Sequence, residues 1–407
     1  MANSKPERKV LRSSEKLGSL IENYYRESFE AKSRGKPVAW LTSVAPTEIC
    51  YAMDVFPVLP ENYGAMCAAR KLAAEFCTSA EARGYSPDLC SYSRNHLGSI
   101  FEGRGPFGGR GLPDPDFLLA TEYACSTHVK WWEALARHYN VPLFVIDATY
   151  TVDEGLKPYH LEYFISQFKE LISALEDLTQ RKLDMDRFKE VLDLSDETGR
   201  LWLEIADMRK AVPTPVAPAD IFTTMFPVVT LSGKEETVEY YKELRDEIKE
   251  RVDRGEGAIP NERYRLIWDL FPLWYKLGLL NYMEEQGAIC AIDIYALGFS
   301  GRLDSSNPFE SLAYRYPGNR MMYGGVRDRI EIYKGLVKDY KIDGMVFHSN
   351  RICRYASMGQ LDIKQAMLEE FGIPSMIFEG DMTDPRSYSD SQVKETIDSF
   401  LELLESR

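Results

Sequence analysis

Three cysteines lie where a thiolate could do chemistry, at or near junctions between extended and helical sequence. Cys353 follows the apolar stretch "DGMVF" and lies between Arg351 and Arg354. Cys125 follows "DFLLA" and precedes the helical pattern "STHVKWWEALARHY", and Cys90 lies in the polar stretch "DLCSYSRN". A helix N-terminus and neighbouring arginines both favour the thiolate form. Because iron–sulfur clusters are held by thiolates of this kind, the pattern points to a cluster site.

The remaining cysteines lie inside predicted helices or strands, where packing is the simpler role. They are Cys50, Cys67, Cys77 and Cys290. No C-x-x-C pair occurs, so the spacing predicts neither a zinc ribbon nor a thioredoxin-like site. On the pattern alone, ordinary half-buried thiols are the favoured interpretation of the three junction cysteines, and a cluster site is the alternative.

Other motifs carry less weight. "GRGPFG", residues 103–108, matches G-x-G-x-x-G, but it lacks the preceding strand and following helix of a dinucleotide site, so we expect a surface loop. No Walker A sequence occurs, which argues against ATP hydrolysis by this chain. His128 and His138 are ten residues apart on one predicted helix, where core or surface roles are expected. His348 ends a predicted strand near Cys353 and is the histidine of most interest.

The composition describes a globular chain with an acidic balance. It has 407 residues, 44% of them hydrophobic, and a net charge of -14. This charge argues against a nucleic-acid partner, although local arginines and helix N-termini can still bind a small anion. The polar start "MANSKPERKVLRSSEK" predicts no signal peptide, and the absence of a long apolar run predicts no membrane span. We therefore expect a cytoplasmic protein with cysteines that form no structural disulfides.

Alternating helical and extended patterns predict an α/β fold made of two doubly wound parallel-sheet domains. The predicted N-terminal α/β domain covers residues 1–154, and the predicted C-terminal α/β domain covers residues 259–407. A mainly helical segment, residues 155–258, joins them. Because ligands bind outside the carboxyl ends of parallel strands, we expect any site formed by the junction cysteines, a cluster included, to lie in the crevice between the two domains.

Several segments, in order along nearly the whole chain, resemble the (R)-2-hydroxyacyl-CoA dehydratase and benzoyl-CoA reductase family, specifically its larger cluster-bearing subunit. The most specific are "LPENYGA", "GYSPDLCSYSR", "PDPDFLLATEYACSTHVKWWE", "HSNRICR" and "EGDMTDPR". The resemblance implies a [4Fe–4S] cluster bound through Cys90, Cys125 and Cys353, with a fourth iron that lacks a cysteine ligand. It also implies that Ser43 stands beside this open iron and that Glu61 acts as acid or base near the substrate.

The resemblance further implies an acyl-CoA substrate, a related smaller cluster-bearing subunit and an ATP-hydrolysing iron–sulfur activator that injects an electron. In the dehydratase branch, one electron on the thioester gives a ketyl radical that expels the 2-hydroxyl group and leads to an enoyl-CoA. In the reductase branch, electrons enter an aromatic ring and stay there. Ser43 favours the dehydratase branch, whereas "TEYACSTH" departs from the "NNICNQ" type of amino-acid-fermenting dehydratases and leaves the acyl group undefined.

Other functions remain open at this point. The first alternative is a benzoyl-CoA reductase-type subunit that reduces an aromatic acyl-CoA ring. A second is an electron-transfer or double-cubane cluster protein, which would need six cysteine ligands, although four of the seven cysteines are assigned to packing. A third is a structural subunit without a cluster, against which the presence of all three junction cysteines argues.

Overall fold

The computed structural model describes residues 10–149 and 155–407. Residues 1–9, which include most of the polar start, and the predicted domain boundary at residue 154 lie outside the described residues. Two four-stranded, fully parallel sheets form the frame. The N-terminal sheet contains β1 Val38–Leu41, β2 Phe56–Val58, β3 Phe117–Thr121 and β4 Leu143–Ile146. The C-terminal sheet contains β5 Tyr264–Asp269, β6 Ala288–Asp293, β7 Gly344–Asn350 and β8 Ser375–Gly380.

Both sheets have the same topology. Their strand orders are β2-β1-β3-β4 and β6-β5-β7-β8. In each sheet the second strand lies on one side of the first strand and the third strand lies on the other side. The gap between the first and third strands is therefore the switch point, where open α/β sheets bind ligands. The predicted pair of parallel-sheet units is therefore confirmed, and the shared strand order makes the two units counterparts.

Helices cover both faces of each sheet and fill the segment between the sheets. The N-terminal helices are α1 Ser14–Ser33, α2 Thr47–Ala52, α3 Pro60–Ala69, α4 Ala73–Glu81, α5 Ser91–Glu102 and α6 Ser126–Tyr139. The middle helices are α7 Pro158–Thr179, α8 Met185–Met208, α9 Pro218–Thr224, α10 Phe226–Thr230 and α11 Glu235–Asp253. The C-terminal helices are α12 Gly278–Glu284, α13 Ile294–Gly298, α14 Pro308–Arg315, α15 Arg320–Tyr323, α16 Val326–Asp339, α17 Arg354–Ser357, α18 Gln360–Phe371 and α19 Asp390–Glu405, with a 3-10 turn at Pro385–Ser387.

Alternation along the strands explains the layered core. In β1, Val38 and Trp40 pack into one hydrophobic cluster, whereas Ala39 and Leu41 pack into another. Successive strand residues point to opposite faces, so an apolar strand of this kind must be covered on both sides. The largest cluster is continuous through all three predicted segments, from Leu11 to Leu404. None of the helices in the described part of the chain is long and apolar enough to cross a membrane.

Sequence periodicity does not describe three local features correctly. The periodicity of "AARKLAAEFCTSAEARG" predicts one helix, but the stretch forms two, because the chain turns at Lys71, whose φ of 62° lies in the left-handed region. The periodicity of residues 355–371 also predicts one helix, but this helix is broken, since Gly359 adopts a φ of 82° between α17 and α18. Strand β5 was not predicted, although it is an inner strand of the C-terminal sheet.

A charged residue explains why β5 is hard to see in the sequence. The guanidinium of Arg265 is buried in the strand, where an isolated charge would be costly. It forms an ion pair with Glu262, three residues earlier, at 2.5 Å. It also donates hydrogen bonds to the carbonyl oxygens of Tyr340, Ala211 and Arg209, at 2.7, 3.0 and 3.0 Å. These three carbonyl groups come from distant parts of the chain, so only the folded structure reveals this part of the arginine's environment.

Candidate functional site

The three junction cysteines occupy equivalent positions in local structure. Each is the N-cap residue of a helix: Cys90 precedes α5, Cys125 precedes α6 and Cys353 precedes α17. Cys125 and Cys353 also follow the third strands of their respective sheets, β3 and β7. The cysteine at each of these two switch points therefore faces a helix N-terminus, whose partial positive charge stabilises an anion.

The three thiols are neighbours in space. Burial raises the pKa of the Cys90 thiol well above its ordinary value, and the charges of Cys353 and Cys125 raise that pKa further. Burial also raises the pKa of Cys353 to about 12, and the charge of Cys125 adds to this increase. Three thiolates this close together would repel one another, and a bound positively charged metal group would offset that repulsion.

The three thiols are the type of donor that an iron–sulfur cluster uses. Within residues 10–149 and 155–407, no three His, Cys, Asp or Glu side chains converge closely enough to bind one metal ion. A cubane differs because its thiolates bind different irons and are spread over roughly 6–7 Å, given metal–thiolate bonds of ~2.3 Å. Three adjacent, half-buried thiols at helix N-termini are thus suitable ligands for such a group.

The two arginines that flank Cys353, Arg351 and Arg354, are both exposed. The largest influences that lower the pKa of Cys353 are hydrogen bonds from the backbone of Ala356 and Tyr355. His348 is also accounted for by packing, because its Nδ1 lies 2.8 Å from the Phe271 oxygen and its ring stacks on Phe378.

Ser43 and Glu61 meet at the edge of the N-terminal sheet where Cys125 also lies, because Ser43 and Cys125 follow the neighbouring parallel strands β1 and β3. The backbone N–H of Ser43, just beyond β1, donates to Glu61 Oε2 at 2.6 Å. The hydroxyl of Ser43 donates to Asn62 Oδ1 at 3.0 Å. Glu61 lies in the first turn of α3 rather than in an extended loop, because Pro60 begins the helix at a position that suits proline.

His128 completes this group, although the sequence predicted only a core or surface role for it. Its Nε2 lies 3.0 Å from Glu61 Oε1, and both side chains are mostly buried. Burial lowers the pKa of His128, but the charge and hydrogen bond of Glu61 outweigh burial, so this pKa is raised overall. The available signal was the position of His128, one helical turn after Cys125, which keeps it near the N-terminus of α6.

A buried ionic network fixes the segment that carries Cys90. The guanidinium of Arg94 contacts Glu81 at 2.5 Å, Asp384 at 3.1 Å and Asp381 at 3.4 Å. Next to Cys90, the hydroxyl of Ser91 also donates to Asp381. Because Asp381 and Asp384 follow β8, these contacts tie the start of α5 to the C-terminal sheet that carries Cys353.

A mainly apolar cavity of about 130 Å³ opens from Ser43 and Glu61. Asn62 is a further polar residue at this end of the cavity. The rest of the wall comes from six parts of the chain that the fold brings together. These residues are Ile21, Ala65, Met66, Ala69, Tyr92, Phe222, Thr223, Met225, Phe226, Val229, Trp274, Leu277 and Tyr295.

Comparison with known proteins places the chain in a family. Residues 42–404 match the family described as 2-hydroxyglutaryl-CoA dehydratase, D-component. The chain is 32% identical to the (R)-2-hydroxyisocaproyl-CoA dehydratase alpha subunit of Clostridioides difficile, over 96% of each chain. It is 26% identical to a benzoyl-CoA reductase subunit of Thauera aromatica, over 95% of this chain and 93% of that one.

Both subunits of a third relative match. The (R)-phenyllactyl-CoA dehydratase alpha subunit of Clostridium sporogenes is 29% identical over 99% of this chain and 98% of its own. The beta subunit of that enzyme is 24% identical over 60% of this chain and 64% of its own. The alpha and beta subunits of this relative are therefore both related to the present chain.

Proposed function

The chain belongs to the 2-hydroxyglutaryl-CoA dehydratase, D-component family, and on this basis we propose that it is the iron–sulfur subunit of a radical (R)-2-hydroxyacyl-CoA dehydratase. The reaction would remove water from a 2-hydroxyacyl-CoA and give an enoyl-CoA. The observation that carries the proposal is the contact chain from Ser43 through Glu61 and His128 to the thiol-bearing N-terminus of α6.

Cys90, Cys125 and Cys353 would hold a [4Fe–4S] cluster, which supplies a low-potential electron and a Lewis-acidic iron when bound. The three helix N-termini would stabilise the thiolates and the negative charge of the group. The ionic network of Arg94 would keep the Cys90 segment against the C-terminal sheet, so that ligands from both halves of the chain meet at one place.

Glu61 is positioned to move a proton. The Ser43 N–H holds one carboxylate oxygen and His128 holds the other, which fixes the orientation of the carboxylate at the edge of the cavity. Loss of a weakly acidic β-proton from the substrate requires such a base, and His128 would stabilise or share the proton that Glu61 takes up. Because the Ser43 hydroxyl donates to Asn62, its lone pairs remain able to accept a hydrogen bond from the departing water.

Two partners complete the proposal. A related second subunit is supported by the match to the beta subunit of the phenyllactyl-CoA dehydratase as well as to its alpha subunit. A separate ATP-hydrolysing iron–sulfur activator would deliver the electron, which agrees with the lack of a Walker A sequence in this chain.

The second candidate is an aromatic acyl-CoA reductase subunit, which is favoured by the match to the benzoyl-CoA reductase of Thauera aromatica. An electron carrier or double-cubane protein fits less well, because Cys50, Cys67, Cys77 and Cys290 are all buried and so poorly placed as further cluster ligands. The cluster-free structural subunit is also disfavoured, since the three junction thiols lie together.

The test is an assay with the partner subunit, an activator, ATP and a reductant under anaerobic conditions. The dehydratase proposal expects many dehydrations of a 2-hydroxyacyl-CoA per electron supplied, because the electron is returned in each cycle. Consumption of electrons in proportion to a reduced aromatic thioester, without dehydration, would establish the reductase instead.

A further inference from the structure

The apolar cavity follows one face of helix α3 away from the catalytic group. Glu61, Ala65 and Ala69 line it at successive helical turns, together with Asn62 and Met66. Eight residues of helix span about 12 Å, so the wall extends this far from the carboxylate of Glu61. A substrate whose reacting carbon lies at Glu61 and Ser43 would therefore extend its side chain along α3.

Aromatic rings form the opposite wall and present apolar surfaces. Trp274 lies 6.4 Å from Phe222 and 6.4 Å from Tyr295, measured between ring centroids. The indole N–H of Trp274 donates to the hydroxyl of Tyr92, so the polar edges of these two rings are paired with each other. The cavity is thus lined mainly by ring faces and aliphatic side chains, and an apolar group packs well against such a lining.

The charge of the lining excludes one class of acyl group. Among the described residues that line the cavity, Glu61 is the only charged side chain, and it is an anion. A second carboxylate on the acyl group would enter an apolar site without a cationic partner and close to Glu61. Buried charges without partners are strongly disfavoured, so dicarboxylic acyl groups should be rejected.

The volume sets the size of the group that fits. An apolar cavity of roughly 150 Å³ in another protein stays dry and binds benzene. The cavity described here, at about 130 Å³, matches a single ring or a branched alkyl group of similar bulk. A methyl side chain would leave most of this volume unfilled.

We propose that the substrate is a 2-hydroxyacyl-CoA whose acyl side chain ends in one aromatic ring or a branched alkyl group of similar size. This inference rests on the proposed dehydratase function and names the class of acyl group that this function would act on. The residues that set the specificity are the wall residues of the cavity, above all Ala65, Met66, Phe222, Trp274 and Leu277.

Binding can be measured without turnover, by titrating the anaerobically purified full chain with acyl-CoAs that lack the 2-hydroxyl group. We expect 3-phenylpropanoyl-CoA and 4-methylpentanoyl-CoA to bind at least about tenfold more tightly than propanoyl-CoA or glutaryl-CoA. Equal or undetectable binding of all four compounds would overturn the proposal. Equally tight binding of CoA alone would also overturn it, because the cavity would then hold the pantetheine arm rather than the acyl group.

Two wall variants sharpen the measurement. Ala65→Leu narrows the cavity and should weaken binding of 3-phenylpropanoyl-CoA at least about tenfold, while propanoyl-CoA changes little. Leu277→Ala widens it and should reduce the preference for the larger acyl groups. Ala82→Leu, an exposed alanine outside the cavity, is the matched control and should leave all affinities unchanged. If Ala65→Leu weakens all ligands equally, the acyl group does not occupy this cavity.

The same compounds separate this inference from the proposed function. Dehydration assays of the complete system use the 2-hydroxy derivatives of the four acyl-CoAs. The expected affinity order without any dehydration would reject the dehydratase function and leave the acyl cavity in place. Efficient dehydration with the propanoyl or glutaryl derivative as the best substrate would keep the function and reject the acyl class.

Discussion

The two sheets share one strand order but differ in what lies at their switch points. In the N-terminal sheet, β1 is followed by Ser43, whose backbone and side chain contact Glu61 and Asn62 at the edge of a cavity. In the C-terminal sheet, the corresponding strand β5 ends at Asp269, which is fully buried and is bound by Arg329 and Gln360. The residues just beyond β1 thus present polar groups to a cavity, whereas β5 ends in an ionic network that closes over Asp269.

This difference indicates a division of labour. The N-terminal sheet positions the groups proposed to act on the substrate, and its helix α6 carries both Cys125 and His128. The C-terminal sheet contributes Cys353 and, through Asp381, an anchor for the Cys90 segment. A chain with two similar sheets can therefore place reactive groups on one of them while the other supplies a proposed cluster ligand and part of the cavity wall.

The largest expected effect is loss of the proposed cluster, which needs ligands from both sheets. Cys353→Ala or Cys125→Ala should reduce the iron content of anaerobically purified protein from about four per chain to near zero, with loss of the brown colour. Cys290→Ala, which removes a buried cysteine from β6, should keep the full iron content. Full iron in Cys353→Ala would show that the C-terminal sheet provides no ligand.

The next effect tests the carboxylate on the N-terminal side. Glu61→Gln keeps the shape of the side chain but removes the base, so turnover should fall by about 10²–10⁴. Iron content and acyl-CoA affinity should remain unchanged, and both can be measured on the same sample. If turnover stays within a few-fold of that of the unmodified protein, Glu61 does not transfer the proton, although it contacts His128.

A stability measurement addresses the closed switch point. Asp269→Asn leaves Arg329 as a buried cation without its partner, which should lower the free energy of unfolding by about 3–5 kcal/mol. Asp253→Asn removes an exposed ion pair with Lys249 and should change the free energy of unfolding by less than about 1 kcal/mol. Denaturant unfolding followed by circular dichroism would compare the two variants.

The iron content of folded Asp269→Asn then sharpens the comparison. If the C-terminal sheet acts as a wall and a source of one ligand, this variant should still bind its iron under native conditions. Loss of iron from a protein that remains folded would mean that the Asp269 network belongs to the cluster site.

Parts of this site could be predicted from local sequence, because local sequence encodes strand-to-helix junctions. Cys125 and Cys353 stand where an apolar run gives way to a helical pattern, and the structure has both as helix N-caps. Other parts depend on contacts between distant residues. His128 pairs with Glu61 across 67 positions of chain, and Arg265 in β5 needs three distant carbonyl groups in addition to its nearby partner Glu262. Helical periodicity reports which residues share a face but not what packs against that face.

The smallest expected effect concerns the hydroxyl of Ser43. The contact between Ser43 and Glu61 uses the backbone N–H, so Ser43→Ala keeps it and removes only the hydroxyl and its bond to Asn62. In a dehydratase, this hydroxyl would assist the departing water, and its loss should lower turnover about tenfold, the equivalent of one hydrogen bond. Ser43→Thr retains a hydroxyl and should recover most of the activity. In a ring reductase no water leaves, so Ser43→Ala should change turnover very little. Unchanged turnover of Ser43→Ala in a system that does dehydrate would show that the serine hydroxyl is structural.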